Sequence, residues 1–298
     1  MKHEELPFFS IIVCTYNRKR KLEKCLTSIF ELCYPKDRLE VIVVDGGSTD
    51  STGELVRKRF GTVKFLVETE LGLSRARNTG VSNSNGDIIA FTDDDCIVDK
   101  QWLRALVSGF RTKNVIGVGG PVYLRYPQLV PDKLLVEGAL GLYNFGNKYR
   151  RTNKLIGANF AFKKEAFKIT SFDTDLGRKG SRLFGLEDLD FCWKLREKGY
   201  VLMYVPTALV YHDIDASRVN LWYILKRAVY EGYSLSIFRM KSRKWFLKLI
   251  GSHFINSAVI LVRFIRKRTL RLFYKWLTET SALLFLILLR LHHENRFS

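Results

Sequence analysis

Three aspartates, Asp93, Asp94 and Asp95, follow the apolar run at 88–91 (IIAF). Adjacent carboxylates repel, and the arrangement becomes favourable when a hard divalent cation or several hydrogen-bond donors sit between them. Alternation along an extended segment puts Asp93 and Asp95 on one side, so one can hold a metal while the other accepts hydrogen bonds from a ligand. Asp45 stands at the end of another apolar run (VIVV, 41–44), beside Gly46 and Gly47. Glycines there let a ligand approach the backbone, and the carboxylate can accept from ribose hydroxyls or a base N–H. A plain turn with a helix cap at Asp50 or Ser51 explains the residues after it but leaves Asp45 unexplained. Arg75 and Arg77, near a helix start, can grip phosphate or stand solvated on the surface. Glu187 and Asp188 open a helix, where carboxylates serve as dipole and capping residues or as a general base. His212 closes the strand-like ALVYH, where an imidazole is structural or a partner for metal or phosphate.

The elements that carry these residues read as an α/β chain. The runs 8–14 (FFSIIVC), 41–44 and 88–91 are apolar throughout, as strands buried on both faces are. Helical spacing separates them: Leu22, Leu26, Ile29 and Phe30; Leu55, Val56 and Phe60; Trp102, Leu103, Leu106, Val107 and Phe110. The pattern predicts a mainly parallel sheet covered by helices, with ligands at the carboxyl ends of its strands. Four polar clusters, Thr15–Arg18, Asp45–Asp50, Gly72–Asn78 and Asp93–Asp95, lie after those strands or at a helix start. Residues 115–212 read as the other half of the same domain, with mixed strands at 115–118, 201–205 and 208–211.

The net charge is +19. Residues 215–298 hold 16 Lys/Arg against 4 Asp/Glu, so most of the excess sits on the last third of the chain. These basic residues interleave with large apolar ones, which favours an anionic membrane surface over nucleic acid. The apolar stretches 254–262 and 282–289 are each shorter than the roughly 20 residues that span a bilayer. Arg263, Arg266, Lys267, Arg268 and Arg271 separate them, as in helices lying in the interface; a helical hairpin packed on protein is the alternative. Five cysteines without a C-x-x-C pair argue against a disulfide framework or a zinc site and fit a reducing compartment. The charged start Lys2-His3-Glu4-Glu5 lacks a secretory pattern. The expectation is a cytoplasmic protein at the inner face of the membrane, in two regions: 1–214 and a basic helical 215–298.

In order, SIIVCTYNR (10–18), VIVVDGGSTDST (41–52), GLSRARNTG (72–80), DIIAFTDDDC (87–96), GANFAFKKEAF (157–167), FDTDLG (172–177), GLEDLDFCWKLREKGY (185–200) and VPTALVYH (205–212) resemble the family 2 glycosyltransferases, inverting enzymes of GT-A (Rossmann-like) fold. The resemblance implies that Thr15, Asn17, Arg18 and Asp45 line a nucleotide pocket, and that Arg75, Asn78 and Asp94 lie on the donor side. It further implies that Asp93 and Asp95, with His212, hold Mn²⁺ or Mg²⁺. Asp188 is then the base that deprotonates the acceptor hydroxyl, with Glu187 as the second choice. The implied donor is a nucleotide-diphosphate sugar, UDP favoured over GDP, and the acceptor a lipid-linked or cell-surface glycan; oligomerisation is left open. The Q-x-x-R-W signature of processive synthases is absent, since the equivalent region reads RVNLWYILKRAVYEGYS; a single addition is expected. A sugar nucleotidyltransferase would carry a glycine-rich phosphate loop, and CTYNRKRK has no glycine. A non-catalytic relative would have lost the carboxylates, which are intact.

Overall fold

The apolar runs form strands that bury both faces. The computed structural model describes residues 6–126, 128, 130, 131, 134–241, 257–261, 263–265, 267 and 269–294. Strands β1 (Phe9–Thr15), β2 (Leu39–Asp45), β3 (Lys64–Val67) and β4 (Ile88–Asp93) are parallel, in spatial order β3-β2-β1-β4. Alternation along each strand splits its side chains between two cores. Ile11, Val13, Val41, Val43 and Ala90 go to one, and Ile12, Ile42, Val44, Ile89 and Phe91 to the other. The sheet continues through β6 (Val115–Gly119), β8 (Arg150–Thr152), β9 (Phe160–Lys163) and β10 (Val201–Tyr204), in the order β4-β9-β6-β10-β8. Strand β9 runs antiparallel to both neighbours, and β8 antiparallel to β10. A smaller sheet places β11 (Val210–His212) between β5 (Cys96–Val98) and β7 (Val122–Leu124).

Register sets the site. Thr15 pairs with Asp45 and Cys14 with Asp93, so the polar residues after three strands emerge along one edge. Helices α1 (Lys19–Phe30), α2 (Thr52–Arg59), α3 (Leu73–Ser82), α4 (Trp102–Gly109) and α7 (Glu187–Glu197) cover the sheet. Leu22, Leu26 and Ile29 of α1 are buried as their spacing requires, each contributing about 1.5–3 kcal/mol; Phe30 remains 37% exposed. Asn159 cross-links the interior, accepting from Trp102 Nε1 at 2.8 Å and donating to the carbonyls of Pro121 and Ala208.

The chain divides into two compact units: Met1–Arg125, Gly141–Thr174 and Glu187–Ile214; and Tyr126–Leu140, Asp175–Leu186 and Asp215–Ser298. All strands and α6 (Ala166–Ile169) belong to the first. In the second, α5 (Glu137–Leu140), α8 (Leu221–Lys241) and α9 (Leu270–Glu294) share a core of Val136, Ala139, Ile224, Ala228 and Tyr274. A Cβ at Gly232 of α8 would come within 2.6 Å of Thr278 O and Ser281 Cβ, so α8 and α9 meet backbone to backbone. Arg227 donates to the carbonyls of Leu183 and Phe184, and Ser234 accepts from Gly185 N at 3.0 Å, tying residues 183–185 to α8. The apolar stretch at 282–289 falls within α9. Of the stretch at 254–262, residues 254–256 and 262 lie outside the described residues, as do Arg266, Arg268 and residues 2–5. Among the described residues no helix is long and apolar enough to cross a membrane.

Of the two residues expected to cap α2, Ser51 holds the N-cap position without a side-chain bond, and Asp50 before it supplies the carboxylate. Its Oδ1 accepts from Thr52 N at 3.3 Å and from Thr52 Oγ1, and its Oδ2 accepts from Lys19 N at 2.9 Å, so one carboxylate starts two helices. Burial pushes this carboxyl up, but the bonds from Thr52 and Lys19 outweigh it and leave the group below its ordinary 3.8. A depressed value stabilises the fold above the unfolded-state value and loses that contribution as pH falls through the folded-state one. Asp50→Ala is expected to cost about 1–2 kcal/mol at pH 7. In urea melts from pH 7 to 2.5 the gap from wild type should hold above pH 3.8 and narrow below it.

Candidate active site

At the end of β4 the chain buries charge. Asp94 and Asp95 are 4% and 3% exposed, which requires partners of opposite sign. Arg18, just before α1, supplies them: its Nη1 lies 2.9 Å from Asp94 Oδ1 and 2.8 Å from Asp95 Oδ2. Thr15 Oγ1 donates to Asp94 Oδ2 at 2.8 Å. Burial pushes the Asp94 carboxyl up to about 6 against the opposing pull of Arg18. The other oxygen of Asp95 lies 3.2 Å from His212 Nε2, at the end of β11. Asp213, the next residue, donates its N–H to Asp95 O at 2.8 Å. Its carboxylate pairs with Lys21 and Lys24 of α1 at 3.0 and 3.1 Å. Burial pushes the Asp213 carboxyl up, but the two lysines hold it below the ordinary range.

Asp93 and Asp95 come together, but not by strand alternation: β4 ends at Asp93, and Asp94 and Asp95 form the turn that leads into β5. A carboxylate oxygen of Asp93, one of Asp95 and Cys96 Sγ all lie within 4.8 Å of one another. Burial holds the Cys96 thiol well above its ordinary value, so it stays protonated and is a poor ligand for a hard ion. Two carboxylates, with the His212 imidazole against one of them, fit a hard divalent cation.

A second acidic group opens α7. Glu187 Oε1 accepts from Arg77 Nη1 at 2.9 Å, while Arg77 Nη2 lies 3.4 Å from Asp93 Oδ1. Asp188 Oδ2 accepts from Gly157 N at 3.1 Å and its Oδ1 from Leu189 N at 2.8 Å. Arg77 thus joins the two acidic groups.

The remaining candidates are distributed around this centre. Asn17 adopts φ 53°, a conformation asparagine tolerates; its N–H donates to Ser48 Oγ at 2.7 Å and its Oδ1 accepts from Thr49 N at 2.7 Å. Asp45 accepts from Ser48 N at 3.0 Å and from Ser48 Oγ. The arginines of R-x-R part company: Arg75 is exposed and pairs with Glu70 at 3.0 Å, whereas Arg77 is 2% exposed. Asn78 is not brought to the acidic cluster by its hydrogen bonds, because its carboxamide donates to Phe172 O at 2.9 Å and accepts from Phe172 N at 3.0 Å. Sequence reasoning did not single out Asp213, Lys21 or Lys24; it named Arg77 beside Arg75 as a phosphate candidate and then, of the two, gave the donor side to Arg75 alone. The available signal was periodicity: Arg77 follows buried Ser74 by three residues and precedes buried Gly80 by three, placing a charge on the covered stripe of α3.

The model of the glycosyl transferase family 2 matches residues 10–170, more than half of the 298-residue chain. The chain belongs to this family. The chain is 42% identical over 126 residues to glycosyltransferase AglE of Haloferax volcanii, covering 41% of each chain. It is 27% identical over 238 residues to glucosyl-dolichyl phosphate glucuronosyltransferase of the same organism, covering 76% of this chain and 75% of the relative. It thus spans well under half of the first relative and three quarters of the second. A mannosyltransferase from Pyrobaculum calidifontis, solved in complex with GDP-Man and Mn²⁺, superposes with a TM-score of 0.61 at 23% identity, over 94% of this chain and 71% of that one. This likeness bears on the fold, which is GT-A.

Removing Arg18 should expose the cost of the buried carboxylates. Arg18→Met leaves Asp94 and Asp95 without their shared cation and is expected to destabilise the transferase by about 3–5 kcal/mol. Arg18→Lys should recover part of this, since an ammonium cannot match a guanidinium fork; urea unfolding at pH 7.5 measures both.

Proposed function

We propose that this chain is an inverting, metal-dependent, non-processive glycosyltransferase that moves a sugar from a UDP- or GDP-linked donor to a hydroxyl of a lipid-linked or cell-surface glycan. The observation that carries the reading is the pair of acidic centres: Asp93 and Asp95 beside His212, and, across Arg77, the E-D pair at the start of α7. Asp93, Asp95 and His212 would hold Mn²⁺ or Mg²⁺. Bound there, the cation would offset the negative charge left on the diphosphate when the sugar–phosphate bond breaks.

The chain's own residues supply the rest. Thr15, Asn17, Arg18 and Asp45 line the strand ends where a nucleotide would lie, with Arg75, Asn78 and Asp94 proposed on the donor side. Asp188 takes the proton from the acceptor hydroxyl as that oxygen bonds to the anomeric carbon and the nucleoside diphosphate leaves from the opposite face. One displacement inverts the centre. Glu187 is less suited to the base, because its carboxylate is already engaged by the buried Arg77 at 2.9 Å. A lipid-linked acceptor is supported by the name of the glucuronosyltransferase relative. The basic excess of residues 215–298 and the exposed Leu221 and Trp222 support peripheral attachment at an anionic membrane face. In this reading residues 1–214 carry the transfer and 215–298 the attachment.

The test is nucleotide release from UDP-glucose, UDP-N-acetylglucosamine, UDP-glucuronate, GDP-mannose and dTDP-glucose. Each is run with Mn²⁺ or Mg²⁺, with water or a polyprenyl-phosphate-linked hexose in detergent as acceptor. One donor should turn over. Asp95→Ala should abolish turnover, and Asp188→Asn should lower kcat by about 10²–10⁴ while donor binding by calorimetry persists. A folded protein that neither binds nor consumes any of these donors would refute the assignment.

A further inference from the structure

The contacts of Arg77 go beyond neutralising one carboxylate. Its guanidinium carbon lies 5.4 Å from the ring centroids of both Phe160 and Phe172, which pack edge to face with their centroids 6.0 Å apart, so the fork rests against one aromatic corner. Phe172 is fixed in turn by the two bonds from Asn78 to its backbone. From that corner Nη1 reaches Glu187 at 2.9 Å and Nη2 lies 3.4 Å from Asp93. The remaining flank is backbone: a Cβ at Gly157 would stand 2.3 Å from Arg77 Nη2, so the residue there must be glycine for the guanidinium to lie where it does. The N–H of Gly157 is the group that donates to Asp188 Oδ2.

We infer that Arg77 is the positioning residue of the transfer reaction, setting Asp188 through Gly157 and Glu187 and holding it in register with Asp93. The inference rests on Asp188 being the base. Charge balance alone does not require this arrangement, because a lysine would neutralise Glu187 equally. Only a planar fork reaches two carboxylates from separate nitrogens while presenting a flat edge to a glycine backbone. Displacing a catalytic group by about 1 Å costs on the order of 10²-fold in rate, so small shifts of Gly157 or Glu187 are felt in turnover.

The test compares wild type with Arg77→Lys, Gly157→Ala, Asp188→Asn and the Arg77→Lys/Asp188→Asn double variant. The readouts are nucleotide release from the panel donor that wild type consumes, calorimetric binding of the matching nucleoside diphosphate with Mn²⁺, and thermal melting. Arg77→Lys and Gly157→Ala should each lower kcat by about 10–100-fold, with donor KM and nucleotide affinity within about 3-fold of wild type. In the Asp188→Asn background, Arg77→Lys should change the residual rate by less than about 3-fold, because residues acting as a unit are not additive. A full further loss there would mean a merely structural role and overturn the inference. So would folded Arg77→Lys and Gly157→Ala proteins that keep kcat while Asp188→Asn is inactive. If Arg77→Lys does not fold, Gly157→Ala, which keeps every charge, decides alone. An Asp188→Asn enzyme with wild-type turnover would remove the base assignment itself, and the inference with it, while leaving the donor and metal reading standing.

Discussion

Burying carboxylates at the end of a central strand is the constraint on which the site depends. Asp94 and Asp95 are almost wholly out of water, where an unpaired charge costs several kcal/mol. The groups that answer them come from different elements. Arg18 comes from the start of α1 and His212 from the end of β11, while Arg77 reaches the neighbouring Asp93 from α3. Each pairing fixes its element against β4, and the backbone bond from Asp213 N to Asp95 O closes the set. Asp213 repeats the device one layer out with Lys21 and Lys24. Such layers contribute little net stability compared with apolar packing; they specify one register, which a metal-binding site needs.

The turns beside this layer follow a related logic. Asn17 bonds to Ser48 and Thr49, Asp50 to Lys19 and Thr52, and Asp45 to Ser48. The loops after β1 and β2 are therefore held by short polar side chains rather than apolar contacts. Polar residues at strand ends stay near the surface, and these bonds order them there without a hydrophobic cover that would close the strand ends to a ligand.

Much of this was legible because its physics is local. Strands β1, β2 and β4 declare themselves by apolar runs, α1 and α4 by the spacing of Leu22, Leu26, Trp102 and Leu106, and the acidic triplet by adjacent charges that need an explanation. What was hidden depends on contacts distant in sequence. Strand β9 is only FAFK, inserted antiparallel between β4 and β6, and no periodicity in four residues says which strands it divides. Residues 126–140 and 175–186 join the C-terminal helices in one unit through bonds such as Arg227 to Leu183 and Phe184, which no linear pattern encodes. Asn78 carries its motif's identity in the sequence, yet its hydrogen bonds in the fold go to Phe172, ninety-four residues on.

Internal pairing also divides labour among acidic residues that look equivalent in the sequence. Asp94 is held by Thr15 and Arg18, Asp45 by Ser48, and Glu187 by Arg77. Each of these carboxylates has strong donors within the protein, so binding a ligand would mean giving up bonds already made. Asp93, more than a third of its side chain exposed, and Asp188, held by the backbone N–H groups of Gly157 and Leu189, are less committed to side-chain cations. The same arginine that binds Glu187 tightly reaches Asp93 only at 3.4 Å. One buried guanidinium therefore holds two carboxylates at different distances. Within the E-D pair the division is different again: Glu187 bonds to the side chain of Arg77, while Asp188 bonds to the backbone N–H groups of Gly157 and Leu189.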